Sequence, residues 1–191
     1  MKPVFLMAAV ASLVLNAVAV SVLPAADKPR LPVARTDDKP AEGKVRLGGA
    51  IDFTPPEGWI VAKQATTPTR AAYVSADKQA MMSVEVLPAS MKIEPDLAAA
   101  MTKKMRQNRQ ANAQKFVTEP TVEKDDNFVI RIRERYQIKT QVADQLHLYR
   151  AVGPRFLLVT INSLAGEDNV KAHHDAGVST SMSAQFVNAG K

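Results

Sequence analysis

The sequence predicts a single α+β domain in which an antiparallel sheet carries packed helices, and three observations lead there. From Val45 to Val86, and again from Thr121 to Asn162, short runs of apolar and β-branched residues read as strands between Pro, Gly, Asp and Asn breaks. Only two stretches, after Pro95 and after Gly166, change to helical spacing. The order is therefore hairpins, helix, a run of strands, helix. Such segregation indicates α+β rather than a doubly wound parallel sheet. The roughly 165 residues after Ala26 suit one domain, and no solenoid or propeller period is present.

The first 26 residues read as an export signal. Lys2 precedes a charge-free run from Pro3 to Ala26 with a Leu/Val/Ala-rich centre, and Ala17-Val18-Ala19 offers an A-x-A cleavage site, Ala25-Ala26 a second. Left uncleaved, residues 3–22 approach the roughly 20 needed to span a bilayer as an anchor. Either way the rest of the chain is expected outside the cytoplasm, periplasmic or extracellular. The chain has no cysteine, so a lipoprotein is excluded and the exported domain must rest on its core alone. Residues 27–44, with Pro29, Pro32, Pro40 and scattered charges, read as a linker. The domain is expected over 45–187, with a tail at 188–191. A net charge of +6, one unit of it from Lys2, favours anionic surfaces.

Within the domain, Ile51-Asp52-Phe53 alternates as a strand, Pro55-Pro56-Glu57-Gly58 turns, and Trp59-Ile60-Val61 resumes extended structure with Trp59 buried at the corner. Ala71–Val74 and Ala80–Val86 flank a turn-rich spacer of hairpin length. Pro95 suits a first helical position. Leu97, Met101, Met105, Asn108 and Asn112 then recur as the core stripe of a helix to about Gln114, with Lys103, Lys104, Arg106 and Arg109 over much of the remaining circumference. Strands return after Pro120. Asp125-Asp126-Asn127 turns into Phe128–Ile138, where Phe128, Ile130, Ile132, Tyr136 and Ile138 share one face and Arg131, Arg133 and Arg135 the other. Gln145–Val152 and Phe156–Asn162 form a hairpin across Gly153-Pro154-Arg155. The second of these, apolar on both faces, reads as a central strand. A last helix runs to about Met182, and Phe186 closes the fold.

This order, with Phe53-Thr54-Pro55-Pro56-Glu57-Gly58-Trp59 near the start and Ser183-Ala184-Gln185-Phe186 at the end, resembles the Mog1/PsbP-like α/β/α sandwich group. The first segment is similar to that group's F-x-x-P-x-G-W motif, which gives Phe53, Pro56, Gly58 and Trp59 structural roles. The resemblance implies a non-enzymatic binding or assembly module, an analogy of fold rather than of site.

Motifs that carry chemistry are missing. There is no phosphate loop, dinucleotide fingerprint, H-E-x-x-H, EF-hand or G-x-S-x-G elbow. Three histidines remain. His173 and His174 are neighbours on a helix, pointing about 100° apart, so they converge poorly on one ion, and His174 falls on an apolar seam where a histidine bonded to backbone is expected. His147 faces the side of Tyr149. No metal or cofactor is expected. Adjacent carboxylates at Asp125-Asp126 lack the separation a glycosidase pair needs. Aromatic residues are 5% of the chain and none interleaves the basic helix, which argues against nucleic acid. Met81, Met82, Met101 and Met105 read as core.

The candidate binding residues are basic. Arg131, Arg133 and Arg135 form a same-face ladder suited to carboxylate or phosphate, unless Glu123, Asp144 or neighbours balance it. Lys103, Lys104, Arg106 and Arg109 form a dock for an acidic partner or anionic membrane surface. The expectation is an exported binding or assembly module of the periplasm or cell envelope, its partner an unidentified protein or anionic envelope component. A membrane-tethered structural protein and a hydrolase built around His147 or His174 are the rivals. Arg131→Ala with Arg133→Ala is expected to weaken binding without unfolding, and Trp59→Ala to cost about 3–5 kcal/mol as a buried tryptophan.

Overall fold

The computed structural model describes residues 42–88, 96–164 and 166–187. The expected leader, most of the linker, Pro95 and the tail lie outside the described residues. The elements are β1 (Val45–Leu47), β2 (Ile51–Phe53), β3 (Ile60–Val61), β4 (Arg70–Val74), β5 (Ala80–Val86), α1 (Leu97–Ala111), β6 (Lys115–Glu123), β7 (Ile130–Ile138), β8 (Gln141–Val152), β9 (Arg155–Ser163), α2 (Glu167–Met182) and β10 (Gln185–Phe186). Seven strands form one antiparallel sheet in the order β3-β4-β5-β9-β8-β7-β6, and β1-β2-β10 form a small second sheet. Among the described residues no helix is long and apolar enough to cross a membrane.

The large sheet is covered on both faces, and β9 at its centre shows why. Leu157, Val159 and Ile161 enter a core shared with Phe53, Met82, Val84, Leu146 and Leu148, against which Ala176 and Val178 of α2 pack. Phe156 and Leu158 alternate to the opposite face, where Met105, Met101 and Leu97 of α1 meet Ile130, Ile132 and Tyr149. The chain is thus an α/β/α sandwich. Gly177 lets α2 lie close, since a Cβ there would stand 2.2 Å from Ile161 Cδ1. At the end of α2, Arg150 donates to the carbonyls of Ser181 and Ala184 at 2.6 and 3.1 Å, satisfying acceptors the helix leaves open.

The two halves of the resemblance motif meet. Gln185 and Phe186 pair with Asp52 and Ile51, and the Thr54 amide donates to Ser183 Oγ at 2.9 Å. Phe53 and Pro56 are buried, and Gly58 takes φ +73, a conformation that favours glycine. Trp59 departs from expectation. It is half-buried rather than buried, because β3 is an edge strand with Ile60 and Val61 exposed.

Three further expectations are corrected. Helix α1 ends at Ala111, where Ala113 (φ +52) turns into the left-handed region. Strand structure then resumes at Lys115, ahead of Pro120. The proline is tolerated because β6 is the sheet's edge and its register with β7 shifts on both sides of Thr118. Phe128 does not share the face of Ile130. It sits in the turn before β7, its amide bonded to the Asp125 carbonyl, and packs into the core on the α2 side.

Candidate functional site

The ladder of Arg131, Arg133 and Arg135 stands on the α2 face of β7, opposite Leu148, Leu146 and Asp144 of β8. Helix α2 packs over β9, β8 and β5, and among the described residues the β6–β7 half of that face stays open. Thr118 and Thr121 of β6, both exposed, lie across from Arg135 and Arg133, and Glu123 from Arg131. Thr118, Thr121, Glu123, Arg133 and Arg135 line an open shelf of about 280 Å3, with Arg131 next along the same face of β7.

Carboxylates of the chain itself hold every arginine of the ladder. Arg131 Nε lies 2.6 Å from Glu123 and its Nη1 2.9 Å from Asp125. Asp144, buried at 2% exposure, takes Arg133 Nη2 and Arg135 Nε at 2.9 Å each. His174 Nε2 approaches the same carboxylate at 3.3 Å. Burial pushes the His174 imidazole down to about 4; Asp144 pulls the other way, while Arg133, Arg131 and His173 add to the depression. Asp125 is held below the usual carboxylate range by the Asn127 amide, with Arg131 contributing. The arrangement is a row of guanidinium groups fixed by their own counter-charges, with Arg133 still 42% exposed at its side chain.

The helix cluster divides. Lys103 and Arg106 are exposed, Arg106 reaching Glu119 at 2.8 Å. Arg109 is a correction, because it is buried on the sheet side of α1. Its Nη2 lies 2.6 Å from Glu134 Oε1, its Nη1 3.1 Å from Gln114, and it also donates to Gln145. The helix and ladder clusters occupy opposite faces of the sheet, so they do not form one basic surface. The buried seam follows Thr102, Met105 and Arg109 rather than turning toward Asn108 and Asn112.

Among the described residues the histidines face side chains rather than the backbone partner expected for His174. His147 Nδ1 lies 3.3 Å from Thr160 Oγ1, and burial, with Arg109, drives its imidazole down to about 3. His173 Nδ1 lies 2.9 Å from Ser163 Oγ and its Nε2 3.3 Å from Asp77. Serine, histidine and aspartate are the residue types of a hydrolytic triad, but the order in space is inverted. Ser163 is wholly buried and Asp77 is the outward member, so no substrate carbonyl can reach the hydroxyl. His173 thus bridges the two, one ring nitrogen facing Ser163 and the other Asp77. The described residues contain no group of three or more side chains suited to a metal.

No family model and no curated protein matches the chain. Among solved structures it is similar to the Ran-binding protein Mog1p of Saccharomyces cerevisiae, at 13% identity over 75% of this chain and 94% of that one, TM-score 0.47. It is similar also to the cyanobacterial PsbP of Synechocystis sp. PCC 6803, at 15% identity over 72% and 86%, TM-score 0.45. A third is LpqN of Mycobacterium tuberculosis, involved in cell envelope biogenesis, at 13% identity over 72% and 83%, TM-score 0.38. The likeness is one of fold. Function is read below from the chain's own geometry.

Proposed function

We propose that this chain is an exported, non-enzymatic binding or assembly module of the periplasm or cell envelope, and that the β6–β7 shelf receives an acidic segment of a protein partner. The observation that carries this reading is the open half-face, on which Arg131, Arg133 and Arg135 are held in place by Glu123, Asp125 and Asp144. Arginines already fixed lose little side-chain freedom when a partner docks, and a planar guanidinium can bond a second carboxylate. Lys103 and Arg106, on the opposite side of the sheet, are a secondary contact for an anionic surface. Export is supported by the charge-free run after Lys2.

The test is site-specific photocrosslinking in the native cell fraction, with the reactive residue at Thr121 on the shelf or at Gln64 near the far sheet edge. The reading expects one discrete adduct from Thr121 and none from Gln64. Equal labelling from both positions would overturn it. The mass of the recovered chain reports in the same experiment whether the first residues are removed or retained as a tether.

A further inference from the structure

A second concave site lies away from the shelf, where three separate segments converge. Glu57, Gly58 and Trp59 come from the β2–β3 connection, Ser75, Ala76 and Asp77 from the β4–β5 turn, and His173 from α2; together they line a cleft of about 260 Å3. Its wall is the half-buried Trp59 indole, edge-to-face with His173 at 5.8 Å and 87°.

The Asp77 carboxylate is built into this cleft. Its Oδ1 accepts from the Ser75 hydroxyl and from the Gln79 amide at 3.0 Å, while His173 Nε2 stands 3.3 Å from Oδ2. Burial works to raise its pKa, but these bonds and His173 outweigh it, leaving the carboxyl below its usual range and ionised at neutral pH. Glu57 is exposed at the rim and adds a second negative charge. Lys78 is the cation next along the turn, exposed and turned through φ +59.

We propose that this cleft binds an organic ammonium group of side-chain size. An indole face and a fixed carboxylate together are what such a cation recognises, the ring by its quadrupole and the carboxylate by charge. In a chain that is basic overall, a localised anionic and aromatic cleft selects for a different ligand than the arginine shelf does, and the two sites are independent.

Trp59 is the single tryptophan of the chain, so its fluorescence reports on this cleft alone. The full chain is titrated with tetramethylammonium chloride and, separately, with lysine amide, against sodium chloride at equal ionic strength. A saturable change in Trp59 emission with either cation and none with sodium supports the site. Tetramethylammonium alone points to a quaternary ammonium read by the ring, and lysine amide alone to a primary ammonium reaching Asp77. Glu57→Gln, at an exposed position, is expected to weaken binding about two- to fivefold, and Asp77→Asn more, with the unfolding midpoint checked alongside. No saturable response to either cation, or responses unaltered in Glu57→Gln and in a folded Asp77→Asn, would overturn the proposal.

Discussion

Arg109 and Glu134 meet beneath α1, Nη2 to Oε1 at 2.6 Å, with the guanidinium 3.5 Å above the centre of the Tyr136 ring. Glu134 is completely buried between Ile132 and Tyr136 on the covered face of β7. A carboxylate so placed is tolerable only while its counter-charge is present. Even so, Glu134 Oε2, the Tyr136 hydroxyl and His147 Nε2 make no hydrogen bond among the described residues. Burial pushes the Tyr136 phenol up to about 12.

Arg109→Ala is therefore expected to destabilise the domain by about 3–5 kcal/mol, leaving Glu134 buried and uncompensated. Replacing both partners by apolar residues, Arg109→Met with Glu134→Leu, should recover most of that loss, since neither charge then needs to be desolvated. Urea unfolding of the single and double variants checks this. A double variant no more stable than Arg109→Ala would mean the pair does more than neutralise itself.

Acid should weaken the fold before the carboxylates titrate. His147 and His174 are held near 3 and 4 in the folded chain against 6.5 for the free side chain. Between pH 6.5 and about 4 the unfolded chain binds more protons, so stability falls as pH falls, by up to about 1.4 kcal/mol per pH unit for each histidine. Below that window the lowered carboxylates Asp77 and Asp125 add their own loss. Unfolding midpoints at pH 7, 6, 5 and 4.5 measure the slope, and His147→Leu should flatten it. A profile level from pH 7 to 5 would contradict the burial of these rings.

The strands and the central place of β9 are legible in the sequence because alternation and two-sided apolarity are local properties. Arg109 is harder to place. Residue type alone assigns it to solvent, although its spacing from Thr102 and Met105 puts it on the buried seam. Its signal is paired: one arginine on an apolar stripe, and one glutamate interrupting Ile130, Ile132 and Tyr136. Asp144 is recognisable as a balancing charge for the ladder, but its burial with His174 depends on α2 folding back over β8, which no local pattern encodes. The Trp59 cleft joins residues more than a hundred positions apart, and no spacing in the chain records it.

The closeness of α2 to the sheet gives a prediction of opposite sign to helix propensity. Alanine would suit a helix better than glycine by about 1 kcal/mol. At position 177, however, the added Cβ would overlap Ile161 Cδ1 and Cγ1 at 2.2 and 2.5 Å. Gly177→Ala is expected to lower stability by about 1–3 kcal/mol, as overpacking does. A thermal melt decides it, and a raised midpoint would show that Ile161 can move aside.

Trp59→Ala carries a smaller expected cost than a buried tryptophan would, about 2 kcal/mol, because the ring is only partly withdrawn from water. A loss of 4 kcal/mol or more in urea unfolding would indicate that the corner it forms beside Pro56 and His173 is a larger part of the core.

The arginines of the shelf differ in what they support, which makes binding separable from stability. Arg131 pairs with Glu123 and Asp125 near the surface, so Arg131→Ala should cost less than about 1 kcal/mol. Arg133 and Arg135 together compensate a buried carboxylate, so removing both should cost about 3 kcal/mol or more, with His174 the remaining neighbour of Asp144. Arg131→Ala with Arg133→Ala is expected to weaken binding without unfolding the domain, but with some loss of stability, since Arg133 is shared with that buried group. Arg131→Ala alone is the clean probe: crosslinking from Thr121 should fall while the unfolding midpoint holds. Unchanged crosslinking in a variant of unchanged stability would remove Arg131 from the docking surface.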